Sequence, residues 1–146
     1  MKILVQRVSE ASVTVDNQVV GAIRRGFLVF LGVCESDGEE QALRLSKKLL
    51  GLRIFPDEEG KTNLSLSDVG GELLIVSQFT LYADLKKGYR PSFVQAASGE
   101  KAEALYRFFV EECRRHHPTV RTGVFGAHMD VALVNDGPFT IIWEET

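Results

Sequence analysis

Histidine, cysteine and proline are scarce in this chain of 146 residues, which has three, two and four of them respectively. No apolar run approaches the roughly 20 residues that a membrane-crossing helix needs. The opening Met1-Lys2-Ile3-Leu4-Val5-Gln6-Arg7 turns polar almost at once. A signal peptide needs a longer apolar stretch and a small-residue cleavage site, so a cytoplasmic protein is expected. Cys34 ends an apolar strand-like run and Cys113 lies in a predicted helix. Neither has a second Cys or a His at metal-ligand spacing, so two buried reduced thiols and no metal are expected. The chain has no P-loop, no G-x-G-x-x-G after a strand and no H-E-x-x-H, and no cofactor is expected. His116 and His117 end a predicted helix beside Pro118, where they can bond free carbonyls. His128 faces away from Met129 and Val131, so nothing in the spacing supports a Ser-His-Asp triad.

What is present suggests one domain spanning residues 1–146, with 45% hydrophobic and 25% charged residues. The first third has the pattern of a strand meander. A short apolar run in Met1 to Val8 is followed by the alternating Ala11-Ser12-Val13-Thr14-Val15. Asp16-Asn17 is a turn signal, and Val19 to Ile23 resumes a β-branched pattern. Phe27 to Val33 is almost wholly apolar, as a central strand covered on both faces should be. A helix follows, with Ser36 and Glu39 at capping-box spacing. Its apolar face is Ala42, Leu45 and Leu49, with Leu43 and Leu50 beside them, and Gly51 closes it. Lys47-Lys48 complement the helix dipole. Leu52 to Phe55 reads as a short strand, residues 56 to 71 as a polar loop, and Glu72 to Ser77 as a buried strand. Residues 84 to 99 are irregular, and Ser98 then caps a helix from about Gly99 to His117. That helix turns Ala102, Leu105, Tyr106, Phe109 and Cys113 inward. The end reads as a hairpin, Met129 to Leu133 and Phe139 to Trp143, turning at Asp136-Gly137. The order gives an α+β domain dominated by antiparallel sheet.

Three segments stand out. Ser77-Gln78-Phe79-Thr80 places hydrogen-bonding side chains directly after a buried strand. Such groups must find partners or bind something, and hydroxyls and backbone N–H groups there can hold a carbonyl oxygen. A strand edge with its side chains bonded to backbone explains the composition equally well. In Gly137-Pro138 the proline removes a ladder N–H where a return strand should begin; base rates alone favour a trans bond there. Lys87-Gly88-Tyr89-Arg90-Pro91-Ser92-Phe93 mixes basic, aromatic and turn residues. That mixture suits a nucleic acid or a subunit interface, although a packed surface loop accounts for it more simply. The net charge of −3 opposes general polyanion binding, but local basic clusters remain possible RNA contacts.

Together these segments resemble the D-aminoacyl-tRNA deacylases of the bacterial and eukaryotic type, also described as D-tyrosyl-tRNA(Tyr) deacylases. The resemblance runs through Val5-Gln6-Arg7-Val8 and Ala11-Ser12-Val13, then Ser77-Gln78-Phe79-Thr80-Leu81 and Arg90-Pro91-Ser92-Phe93. It continues in Gly123-Val124-Phe125-Gly126-Ala127 and closes with Asn135-Asp136-Gly137-Pro138-Phe139-Thr140. Phe139 is bulkier than the small aliphatic the pattern suggests, and Tyr89 occupies a variable position. The resemblance implies a barrel-like antiparallel core with two main helices. It also implies hydrolysis of the ester joining a D-amino acid, or glycine, to the terminal adenosine of tRNA. A homodimer with active sites at its interface is implied as well. Ser77, Gln78, Phe79 and Thr80 become the catalytic segment, with Phe125, Met129 and Ala102 as further pocket residues. Gly137-Pro138 becomes a cis pair that reaches into the partner's pocket and rejects L-amino acids.

Three other readings remain at this point. A Thr80-dependent esterase would cleave small D-aminoacyl esters without tRNA. A nucleic-acid-binding module would bind with steep salt dependence and hydrolyse nothing. A dimeric scaffold would have no use for polar residues at 77 to 80.

Overall fold

A computed structural model describes all residues, Met1 to Thr146. Its elements in order are β1 (Lys2–Val15), β2 (Gln18–Ile23), β3 (Gly26–Gly32), α1 (Glu39–Leu50), β4 (Phe55–Pro56) and β5 (Thr62–Leu64). They continue with β6 (Glu72–Ser77), a 3-10 turn at Phe79–Tyr82, α2 (Gly99–His116), β7 (Val120–Thr122) and β8 (Asp130–Glu144). The first two predicted strands are one long strand, β1. Its first half pairs with β3 and its second half with β2, both antiparallel. The turn between β1 and β2 falls at Asp16-Asn17, both with positive φ, as the two-residue hairpin turn requires.

The sheet is mixed, because β3–β6 and β6–β7 are parallel pairs. Its path runs β2-β1-β3-β6-β7, and the two ends of that path approach each other. A Cβ on Gly21 in β2 would lie 2.4 Å from the Thr122 carbonyl oxygen in β7. Only glycine permits this approach, and with it the sheet curls into a nearly closed barrel. Alternation then sorts side chains to the two faces. Leu28, Leu74 and Val76 point inside with Val8, Ala11 and Val13. Phe27, Val29, Leu31, Leu73 and Ile75 point outside, where the helices bury them.

The helices form as the periodicity predicts, with corrections at the edges. In α1, Ala42, Leu45 and Leu49 are fully buried, whereas Leu43 is exposed. The cap is Gly38 rather than Ser36, and Gly38 N–H donates to Gln41 Oε1 at 2.9 Å. The shift follows from Asp37, whose carboxylate accepts Cys34 N–H at 2.8 Å and holds residues 34 to 37 in a turn. In α2 all five expected inner residues are buried, and Ser98 caps it by accepting Lys101 N–H. The loop after α1 contains the small hairpin β4–β5. His117 is buried, with Nε2 2.8 Å from the Gly71 carbonyl, a loop partner rather than a carbonyl of its own helix end. His116 is exposed.

The largest correction is at the C-terminal end. The predicted hairpin does not exist: β8 is one strand antiparallel to β1 from Thr14↔Asp130 to Lys2↔Glu144. The alternating runs before and after Asp136-Gly137 pair with the same neighbour rather than with each other. Between Val8↔Asn135 and Gln6↔Thr140 the ladder breaks, so residues 136 to 139 bulge outward opposite Arg7 alone. The inward face of β8 changes sides at the bulge. Met129, Val131 and Leu133 cover the barrel interior, while Phe139, Ile141 and Trp143 cover the helix-side core.

Candidate active site

The parallel β6 ends at Ser77, and the chain breaks at once into the 3-10 turn. Gln78 N–H is still held by the Leu31 carbonyl at 2.7 Å, so the segment leaves the sheet edge in a fixed direction. Phe79 and Thr80 open the turn, and first-turn N–H groups have no acceptor within their own helix. Their side chains are exposed, while Ser77 and Gln78 are half-buried. Gln78 Nε2 donates to Thr80 Oγ1, which orients the hydroxyl. Phe79 meets Phe93 edge to face, with ring centroids 5.1 Å apart.

This segment forms one wall of a cleft of about 240 Å³. Leu31 and Val33 close the sheet side, Ala97 to Ala102 the start of α2, and Tyr106, Phe125 and Gly126 the far end. The structure therefore brings together Ser77, Gln78, Phe79, Ala102 and Phe125. Thr80 stands beside the cleft through Gln78 and is not part of its lining. Met129 is not there either, because it packs on the barrel-interior side, below the point where β8 changes faces.

The cleft carries no acid–base machinery. Its one titratable lining residue is Tyr106, whose hydroxyl donates to the Ile75 carbonyl at 2.8 Å. Burial pushes its pKa up to about 12, so it neither donates nor accepts protons near neutrality. None of the histidines lines the cleft. No group of three or more His, Cys, Asp or Glu side chains is placed to hold a metal ion. What the cleft offers is apolar surface, one amide, one hydroxyl and free backbone donors. That set can bind an ester and polarise its carbonyl, but it cannot by itself activate a nucleophile.

Gly137 and Pro138 lie outside the cleft, exposed on the β8 bulge, and the bond between them is cis. Arg7 organises the bulge, a role the sequence motifs did not single out. Its guanidinium donates to the carbonyls of Asp136 (3.2 Å), Gly137 (3.3 Å) and Ile54 (2.6 Å). It also pairs with the Asp136 carboxylate at 3.0 Å and lies over the Phe139 ring at 4.5 Å. This explains the bulky Phe139, which supplies a floor for the cation. Asn135 Nδ2 ties the bulge further, donating to the carbonyls of Arg7 and Phe139. Arg7 is itself buried, an unusual place for a charge unless several acceptors meet it. That environment was the one available signal, and it exists only once β1 and β8 are paired.

A nearly closed mixed barrel, two outer helices and a base-free, largely apolar cleft at a strand end define the class of α+β protein. The D-Tyr-tRNA(Tyr) deacylase family profile matches residues 4–144, and the chain belongs to that family. It is 56% identical to a D-aminoacyl-tRNA deacylase of Thermotoga petrophila over 146 residues, covering 100% of this chain and 98% of the relative. A D-aminoacyl-tRNA deacylase of Clostridium acetobutylicum is 54% identical over 97% of this chain and 95% of its own. Among solved structures, a c-Myc DNA unwinding element binding protein superposes with a TM-score of 0.95 at 42% identity, covering 100% of this chain and 99% of its own. A probable eukaryotic D-amino acid tRNA deacylase superposes with a TM-score of 0.82 at 21% identity, covering 97% of each chain, a likeness of fold.

Proposed function

We propose that this protein hydrolyses the ester of D-aminoacyl-tRNA, and of mischarged glycyl-tRNA, releasing the free amino acid and tRNA in the cytoplasm. The observation that carries the mechanism is the missing base. The cleft's one titratable group is a tyrosine with its pKa raised to about 12, so the cleft brings no base of its own and the substrate supplies the proton acceptor. The ribose 2′-OH adjoins the ester and can orient the attacking water. Water oxygen bonds to the carbonyl carbon, and the Phe79 and Thr80 N–H groups hold the developing oxyanion. The bond to the ribose oxygen then breaks, and that oxygen takes up the proton. Thr80 serves through its backbone, and its side chain, engaged with Gln78, is not the nucleophile.

Chirality is judged by the bulge of a second subunit. Each chain has a cleft with no gauge of its own and an exposed, clamped bulge with nothing to gauge. A homodimer that seats the bulge of one subunit over the cleft of the other completes both. The Gly137 and Pro138 backbone then faces the substrate's amino group and leaves no room for an L side chain. The exposed, uncovered side of β8 supports that assembly. No helix is long and apolar enough to cross a membrane.

The deciding measurement compares deacylation of D- and L-tyrosyl-tRNA by the purified protein. The D ester is expected to be cleaved faster by about a hundredfold or more, and equal rates would overturn the reading. For the mechanism, replacing the terminal 2′-OH by hydrogen is expected to cost far more than Thr80→Ala. Unimpaired turnover of the deoxy substrate would remove the proposed role of the ribose.

A further inference from the structure

The basic loop beside the cleft has no structural partner for its charges. Asp84 and Ser92 exchange both backbone hydrogen bonds, at 2.8 and 3.0 Å, and close residues 85 to 91 into a projecting finger. Lys86, Lys87 and Arg90 on that finger are exposed, and their side chains enter no ion pair or hydrogen bond. The four arginines on the helices differ: Arg44, Arg107, Arg114 and Arg115 each pair with a glutamate on their own helix. The carboxylate at the base of the finger, Asp84, accepts the Lys86 backbone N–H at 2.9 Å and pairs with none of the three cations. Between the cations, Tyr89 is 104% exposed, so its ring packs against nothing in the subunit. Three unneutralised cations around a bare aromatic ring, in a chain of net charge −3, form a local site for a flexible polyanion with π-faces.

The finger's position says which part of such a ligand it meets. Its incoming stem follows the 3-10 turn that carries Phe79. Its outgoing stem carries Phe93, packed on Phe79, and then Ala97 of the cleft lining. A nucleic acid whose 3′-terminal ester sits in the cleft has this finger beside it on the Phe79 wall. We infer that residues 85 to 91 bind the unpaired 3′ end of the tRNA, with Lys86, Lys87 and Arg90 on its phosphates and Tyr89 stacked on one of its bases. The inference rests on the deacylase reading and adds to it the means by which a cleft of amino-acid size selects an RNA-borne ester.

The test uses Lys86→Ala/Lys87→Ala/Arg90→Ala and, separately, Tyr89→Ala and Tyr89→Phe. With D-tyrosyl-tRNA the triple variant is expected to raise KM about tenfold or more at unchanged kcat. Its slope of log KM against log salt should fall by about 2, from roughly 0.7 per single-strand phosphate. Tyr89→Ala should raise KM about tenfold and Tyr89→Phe should restore it, since stacking needs the ring and not the hydroxyl. Turnover of 3′-O-(D-tyrosyl)adenosine, which ends before the finger, should be the same for all variants. Equal losses on both substrates, or a drop in solution mass, would overturn the inference by making the finger a wall of the cleft or a subunit contact. An unchanged KM and salt slope would overturn it as well. Binding of uncharged tRNA, followed by fluorescence anisotropy, separates this inference from the activity. A protein that fails to discriminate D from L but still loses tRNA binding in the triple variant would keep the finger and lose the function.

Discussion

At the residue scale, Arg7 links the fold to the proposed chemistry. A single planar guanidinium reaches three carbonyls on two chain segments and rests on Phe139. A lysine ammonium is a point donor without that fork. Arg7→Ala and Arg7→Lys are both expected to lower kcat/KM for D-tyrosyl-tRNA about a hundredfold, because a displaced bulge misplaces the substrate. Initial rates check this, and full rescue by lysine would show that charge alone suffices. Tyr106→Phe should behave oppositely. It removes the shorter of two hydrogen bonds to the Ile75 carbonyl, which keeps the Gly123 N–H at 3.3 Å, a cost of about 0.5–1.5 kcal/mol in urea unfolding, yet keeps kcat because the hydroxyl carries no proton in the reaction. At this scale the sequence was informative about Ser77 to Phe79 and about Ala102 and Phe125, which line one cleft. It was not informative about Arg7, whose partners are distant along the chain, Ile54 by 47 residues and Asp136 and Gly137 by 129 and 130.

At the scale of elements, the join between β3 and β6 has the least tolerance. A Cβ on Gly26 would lie 1.8 Å from the Glu72 carbonyl oxygen, a backbone atom that cannot rotate away. Gly→Ala in a strand ordinarily gains a few tenths of a kcal/mol or more. Here it is expected to destabilise by about 3 kcal/mol or more, visible as a lowered urea midpoint or an insoluble product. The buried face of α2 sets an alkaline limit. Burial, reinforced by Glu112, pushes the Cys113 thiol up from 9.0 to about 12, and burial raises Tyr106 from 10.0 to about 12. The folded state thus holds both protons more tightly than the unfolded chain. Their contribution is complete below about pH 9 and is lost as the pH rises toward 12. The urea midpoint should fall between pH 8 and 11, less steeply in Cys113→Ala; a midpoint that rises with pH would contradict the assignment. Helix α2 was legible because its cap, apolar stripe and terminating proline are all local. The C-terminal end is one strand and not the expected hairpin because period-two alternation reports which face is buried and not which strand is the partner.

At the scale of the whole molecule, the proposed dimer makes a quantitative prediction. Arg7→Ala impairs the bulge, and Ala102→Leu fills the cleft of its own subunit. Each variant alone should be nearly inactive. In a mixed dimer one intact cleft meets one intact bulge, so refolding the two together in equal amounts should restore about a quarter of the wild-type activity. Deacylation rates before and after mixing check this. No recovery, with mixed dimers demonstrated by mass, would place cleft and bulge in the same subunit's service.

The local sequence by itself determined the strands β3 and β6, both helices and the absence of any cofactor motif. Each of these follows from periodicity, capping or composition within a few residues. It offered no support for a triad, with its three histidines at helix-end and loop positions. Only the tertiary structure decided that β1 and β8 run side by side, that the ends of the sheet approach each other at Gly21, and that Met129 serves the barrel interior. Only there does Asp136-Gly137 become a bulge clamped by Arg7 rather than a turn. These depend on contacts between distant segments, where pattern fixes which side chains are buried but leaves open what buries them.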